Sequence, residues 1–392
     1  MKEERLVYPD YSRSIINITA SILSYFGCES HYPALEELSK DYLDNFENIV
    51  FLVVDGLGSD LLNHHLDQDS LFRKNKVTNL TSVFPPTTAA AISSYLSGVS
   101  PWEHGIIGWT LYLKEYFKMV DFLPLSDATT GESLAESYSQ IHDKFHFESI
   151  FKIIHELQPQ VEQHYVSPQT LVKSKYTKMA SDSAEIFSYN SLPQALDYIE
   201  TTIKESKNKK LFYCYTGEPD KSMHKTGVYE TSITEIIEYI QSQIQILHQK
   251  IKSTKSLIIV TADHGMIEVE ESIYANEDKK LWDSLILPTF PEPRFISCFI
   301  KKDKESAFMD FVKRYEDYFL LMSQAEIIKK GLLGHGQPHP RLLDMLGDYI
   351  LIAKSTKAIQ TLYQSKDNTF KFKAMHAGLT EKEMLVPLIL LD

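Results

Sequence analysis

Apolar residues in this chain fall into two kinds of run. Short continuous blocks at NIVFLVVD (48–55), QHYVS (163–167), KLFYCYT (210–216), SLIIVTAD (256–263), FISCFI (295–300) and DYILIAK (348–354) have the length and composition of strands buried on both faces. Between them, SLPQALDYIETTIKES and TSITEIIEYIQSQIQILHQKIKS repeat apolar residues at three- and four-residue steps, as sheet-covering helices do. The alternation predicts an α/β fold with a largely parallel central sheet flanked by helices. Between 270 and 345 the pattern gives way to charge clusters, PTFPEP and GLLGHGQPHPR. We therefore expect a core formed by 1–269 and 346–392, interrupted by a small cap at 270–345, with the chain re-entering the core at GDYILIA.

Near the N-terminus, Ile15, Ile18, Ile22 and Tyr25 share one helical face while Asn17, Thr19, Ser21 and Ser24 interrupt the apolar stretch. The spacing predicts an amphipathic helix rather than a leader. No run approaches the ~18 apolar residues of a membrane span. A net charge of −13 over 392 residues argues against a nucleic-acid or anionic-membrane surface. Three cysteines, Cys28, Cys214 and Cys298, read as free thiols in a reducing compartment, so the expected location is cytoplasmic. The oligomeric state is not legible.

Four strand ends carry groups able to do chemistry. Asp55 closes FLVVD before Gly-Leu-Gly, and Asp263-His264-Gly265 closes SLIIVTAD. Loops at the carboxyl ends of parallel strands form the binding crevice, although each motif alone reads equally as a turn. After LFYCY, Asp220 and His224 stand four apart, either as a surface pair or as two ligands of a divalent ion such as zinc. His376 precedes Gly378 and a Thr380–Glu383 capping box that opens a short helix. Between these, VFPPTTAAAISSYLSG places two threonines at a proline-rigidified helix entrance.

In this order the motifs VVDGLG, FPPTTAAAISSYLSGVSPWEHGI, GEPDKSMH, TADHGM and MHAGLT resemble the alkaline phosphatase superfamily, and within it the type I phosphodiesterase/nucleotide pyrophosphatase family. The resemblance covers about 48 to 388. It implies two divalent metal ions, zinc with manganese as a possible substitute. One would be held by Asp220, His224 and His376, and the other by Asp55, Asp263 and His264. By the family's helix-and-glycine pattern, counting ten residues back from Gly98, the resemblance implies Thr88 as the nucleophile touching the second ion and leaves Thr87 as the helix cap. The implied reaction passes through a phosphothreonine, on a small phosphate-ester or nucleotide-like substrate. Rival activities on the same site are phosphomonoester or phosphonate hydrolysis and phosphomutase chemistry; a non-catalytic binding protein is the rival outside enzymes. The chain departs from the family where Thr88-Ala89-Ala90-Ala91 replaces Thr-Phe-Pro-Asn. His104 is expected to shape a turn with Gly105. His335, His339 and Arg341 are open between loop packing and substrate contact, and Arg294 and Arg341 are the cations nearest to hand for a phosphate.

Overall fold

The computed structural model describes residues 4–363 and 371–392. Its main sheet runs in the order Lys76–Thr81, Leu385–Leu391, Ser256–Thr261, Asn48–Val54, Lys210–Thr216, Glu162–Pro168, Glu185–Tyr189. The last five strands are parallel to one another. Leu385–Leu391 runs antiparallel to both its neighbours. The central strand Asn48–Val54 is buried throughout, as a strand with helices on both faces must be. Helix Leu192–Glu205 buries Leu192, Ala195, Leu196, Ile199 and Ile203, and helix Thr231–Ile251 buries Ile233, Ile237, Ile240, Ile244, Leu247 and Ile251. These are the stripes that the sequence spacing predicts.

Two of the strand-like runs lie elsewhere. Phe295–Cys298 and Tyr349–Ala353 pair antiparallel in a separate four-stranded sheet with Phe290–Glu292 and Phe319–Ser323. A second apolar cluster, including Leu281, Phe308, Phe311, Phe319 and Leu351, packs against it. GDYILIA therefore belongs to this second layer, and the chain returns to the main sheet at Leu385. Continuous apolar runs report burial on both faces, which a covered antiparallel sheet also provides, so they do not identify the sheet. Just before His376 the described residues form a short strand at Ala374–Met375.

Helix Ile15–Tyr25 differs from expectation in having both faces buried. Its polar side chains are satisfied internally, with Asn17 Nδ2 donating to Pro33 O (2.8 Å) and Thr19 Oγ1 to Tyr95 O (3.0 Å), while Ser21 Oγ accepts from Leu35 N (2.8 Å). Alternating polar residues there mark buried hydrogen bonds rather than a wet face. Cys28, Cys214 and Cys298 are free and buried. Among the described residues no helix is long and apolar enough to cross a membrane.

Candidate active site

Sheet register sets the site. Val53 lies opposite both Tyr215 and Thr261, so three adjacent parallel strands end level with one another. Asp55 leaves the middle strand, Asp263 and His264 leave one neighbour, and the other neighbour leads into helix Asp220–Thr226. Gly56 has φ +75°, and a Cβ there would sit 2.9 Å from Asp220 Cβ. The glycine thus lets Asp220 lie directly over the end of the central strand. His376 follows the short strand Ala374–Met375, which pairs with Ile267–Glu268 just beyond His264.

All three histidines are oriented in the same way. Nδ1 of His224 bonds Ala374 O (2.8 Å), that of His264 bonds Gly265 O (2.9 Å), and that of His376 bonds Pro86 O (3.1 Å). A carbonyl partner fixes the proton on Nδ1 and leaves the Nε2 lone pair for a ligand. The rings of His264 and His376 stack at 3.8 Å. Burial, then the neighbouring imidazoles, hold His376 well below the usual histidine range, and burial lowers His224 to about 4, so both are neutral near pH 7.

The carboxylates supply the opposite charge. Asp55 Oδ1 and Asp220 Oδ1 each lie 3.4 Å from a histidine Nε2, those of His264 and His224, and Asp263 Oδ2 lies 3.5 Å from His264 Nε2. All three oxygens are buried without a donor among the described residues. Burial and mutual repulsion raise Asp55 and Asp220 well above the usual carboxylate range. Their remaining contacts orient them: Tyr215 Oη donates to Asp55 Oδ2, and the amides of Gly56 (3.1 Å) and His264 (3.0 Å) donate to Asp263 Oδ1. Orphaned anionic oxygens beside inward-facing imidazole lone pairs fit divalent cations, which relieve both the repulsion and the missing hydrogen bonds. Ligand atoms converge most tightly in two groups, Asp220/His224/His376 and Asp55/Asp220/His264. Asp220 is common to both, a position that strand-end motifs cannot reveal.

Helix Thr88–Ser97 starts at Thr88, whose Oγ1 lies 3.2 Å from His264 Nε2. Thr87 occupies the cap position, but its side chain does not cap the helix. Its Oγ1 instead donates to Glu292 Oε1 at 2.6 Å. Both threonines line a cavity of about 620 Å³ with Asp220, His224, His376 and Glu292. Sequence reasoning passed over Tyr215 and Glu292, because a tyrosine in a strand and a glutamate between prolines carry no motif.

Other expectations resolve differently. Arg294 is wholly buried: Nε and Nη2 donate to Glu383 (2.7 and 2.8 Å), and Nη1 donates to Ser355 O and Lys357 O (2.8 Å each). It braces the second layer against the Thr380–Glu383 box, whose Glu383 Oε1 also accepts from Gly378 N (2.7 Å), so Arg294 does not reach the cavity. Arg341 pairs with Glu115, His339 stacks on Phe145, and His335 packs against Tyr11. None of the three lines the cavity. His104 ends a short helix at Gly105 and bonds Ser94 Oγ (3.0 Å) and Ile106 N (3.0 Å), the turn-shaping role expected. Ala91, the position at which the chain departs from the family pattern, is fully buried and does not line the cavity.

In its fold the protein matches solved structures of alkaline-phosphatase-like architecture. It belongs to the type I phosphodiesterase/nucleotide pyrophosphatase family, whose model matches residues 49–297. His376 lies beyond that match and is brought to the cluster by the fold. Murine ectonucleotide pyrophosphatase/phosphodiesterase 5 is 17% identical, with 87% of each chain covered and a TM-score of 0.60. An inactive threonine-to-alanine variant of it in complex with AMP is similar at 16% identity, 87% of each chain and a TM-score of 0.60. Phosphonoacetate hydrolase from Sinorhizobium meliloti 1021, in complex with phosphonoformate, is 17% identical over 88% of this chain and 89% of its own, with a TM-score of 0.62. No curated protein matches the sequence.

Proposed function

We propose that the chain hydrolyses phosphoric diesters or nucleotide-like pyrophosphates, with Thr88 as nucleophile and two divalent cations, zinc or manganese, as cofactors. The observation that carries this reading is the aim of Thr88 Oγ1, which lies 3.2 Å from His264 Nε2 at the start of a ten-residue helix. Asp220, His224 and His376 would hold one cation, and Asp55, Asp263 and His264 the other, with Asp220 in reach of both. Bound there, the cations would supply Lewis-acid stabilisation of the negative charge that develops during displacement.

The chain's own part is to aim and to receive. The helix presents its amino end, with its partial positive charge, to the phosphoryl group. Thr88 Oγ1 gives up its proton to solvent and bonds to phosphorus as the first alcohol or phosphate departs and takes up a proton; water then cleaves the phosphothreonine ester, its oxygen bonding to phosphorus while Thr88 Oγ1 is reprotonated. Two in-line displacements give net retention at phosphorus. The murine relative, inactive as a threonine-to-alanine variant and solved in that form with AMP, has a threonine needed for activity and a nucleotide ligand, the two features this reading assigns here. Three buried free thiols support a reducing, cytoplasmic location.

Among the described residues the side-chain cations lining the cavity are Lys221 and Lys225, both exposed and therefore screened. A diester monoanion needs less compensation than a monoester dianion. Bis-p-nitrophenyl phosphate is therefore expected to show a kcat/KM about tenfold or more above that of p-nitrophenyl phosphate. Faster turnover of the monoester, or of phosphonoacetate, would replace the diester assignment and leave the metal site standing.

A further inference from the structure

One wall of the cavity takes no part in this chemistry. Glu292 ends strand Phe290–Glu292 of the second layer, is 7% exposed, and lines the cavity beside Thr87, Thr88 and Trp109. Both of its hydrogen bonds go to one oxygen: Oε1 accepts from Thr87 Oγ1 and from Trp109 N, each at 2.6 Å. Among the described residues no donor reaches Oε2 and no cation pairs with the carboxylate. The loop behind it is tightly fitted, since a Cβ on Gly108 would lie 3.0 Å from Glu292 Cγ and 2.7 Å from Pro291 Cβ. Glu292 is thus clamped in one orientation with its second oxygen uncommitted.

Charge sharpens the point. Asp121, with Oδ1 taken by Thr110 Oγ1 at 2.7 Å, lines the same cavity. Burial, helped by the Asp121 charge, pushes the Glu292 carboxyl up to about 7 against the pull of its two hydrogen bonds. A donor brought by a ligand would relieve this, and a ligand carboxylate would aggravate it. Apolar side chains of Trp109 and Phe290 complete this wall.

We propose that Glu292 is a specificity-determining residue, accepting through Oε2 a hydrogen bond from an N–H or O–H on the organic substituent of the bound ester and rejecting carboxylate-bearing substituents. This rests on the site being that of a phosphoric-ester hydrolase. Because Thr87 and Trp109 both donate to the same atom, a glutamine at 292 must place its carbonyl oxygen toward them. It would then present its NH2 to the ligand, so its selectivity inverts.

The test compares ethyl, 2-aminoethyl and 2-carboxyethyl p-nitrophenyl phosphates on the metal-loaded protein well above pH 7, where the Glu292 carboxyl, pushed up to about 7, is ionised and Oε2 can only accept. The aminoethyl ester is expected to exceed the carboxyethyl ester about tenfold or more in kcat/KM. Glu292→Gln should reverse this order, and Glu292→Ala should bring the ratio toward one. Calorimetric binding to a Thr88→Ala protein, with and without Glu292→Gln, should show the same inversion without turnover. Hydrolysis of the ethyl ester with no aminoethyl preference, or a preference that survives in Glu292→Gln, overturns the role of Glu292 alone. Neither binding nor hydrolysis of any of the three esters overturns the functional reading and this proposal together.

Discussion

Thr88→Ala is expected to lower kcat/KM for an activated phosphodiester by about 10⁴-fold or more, with fold and metal content nearly unchanged. The substitution removes the hydroxyl that faces the cluster, 3.2 Å from His264 Nε2, while the carboxylates and imidazoles keep their own anchors. Thr87→Ala is the control. It removes one of two donors to Glu292 Oε1 and leaves Trp109 N in place, so turnover should fall by no more than about tenfold. Elemental analysis beside the kinetics separates loss of a nucleophile from loss of a cation. If Thr87→Ala is the dead variant, the nucleophile is misassigned by one residue.

Removing Asp220 should cost more metal than removing any other ligand. Ligand atoms of Asp220 fall in both converging groups, whereas His224 and His376 fall in one and Asp55 and His264 in the other. Wild-type protein is expected to bind about two zinc-class ions per chain, His224→Ala about one, and Asp220→Ala close to none. Turnover by Asp220→Ala should fall more than about 100-fold, beyond the loss typical of a residue that only orients a ligand. Equal metal loss in His224→Ala and Asp220→Ala would show that the two ions share no carboxylate.

The chemistry of this site was more legible in the sequence than its geometry. Asp55 and Asp263-His264 come within two residues of the ends of apolar strands and Asp220-x-x-x-His224 begins just after a third, and parallel pairing in register gathers such ends whatever the helices between them do. What lay outside the sequence were contacts made across the fold. Tyr215 reaches Asp55 only because Val53 and Tyr215 are in register, and Asp220 occupies its shared position because Gly56 leaves room for it. Arg294, expected as a cation for substrate, is spent on Glu383, since a buried guanidinium needs a buried carboxylate and the nearest one caps the helix after His376. FISCFI and DYILIAK were legible as strands but not as members of a second sheet, because apolar runs record burial and not partners.

The most direct test is to find where phosphorus goes. Metal-loaded protein turning over bis-p-nitrophenyl phosphate is quenched in acid and its peptides are mapped by mass. The expected product is a p-nitrophenyl phosphate ester on Thr88, the species left after one p-nitrophenol has departed and before water has attacked. An adduct on Thr87 or another residue, or unmodified peptide while substrate is being consumed, would contradict a threonine-linked intermediate at this site.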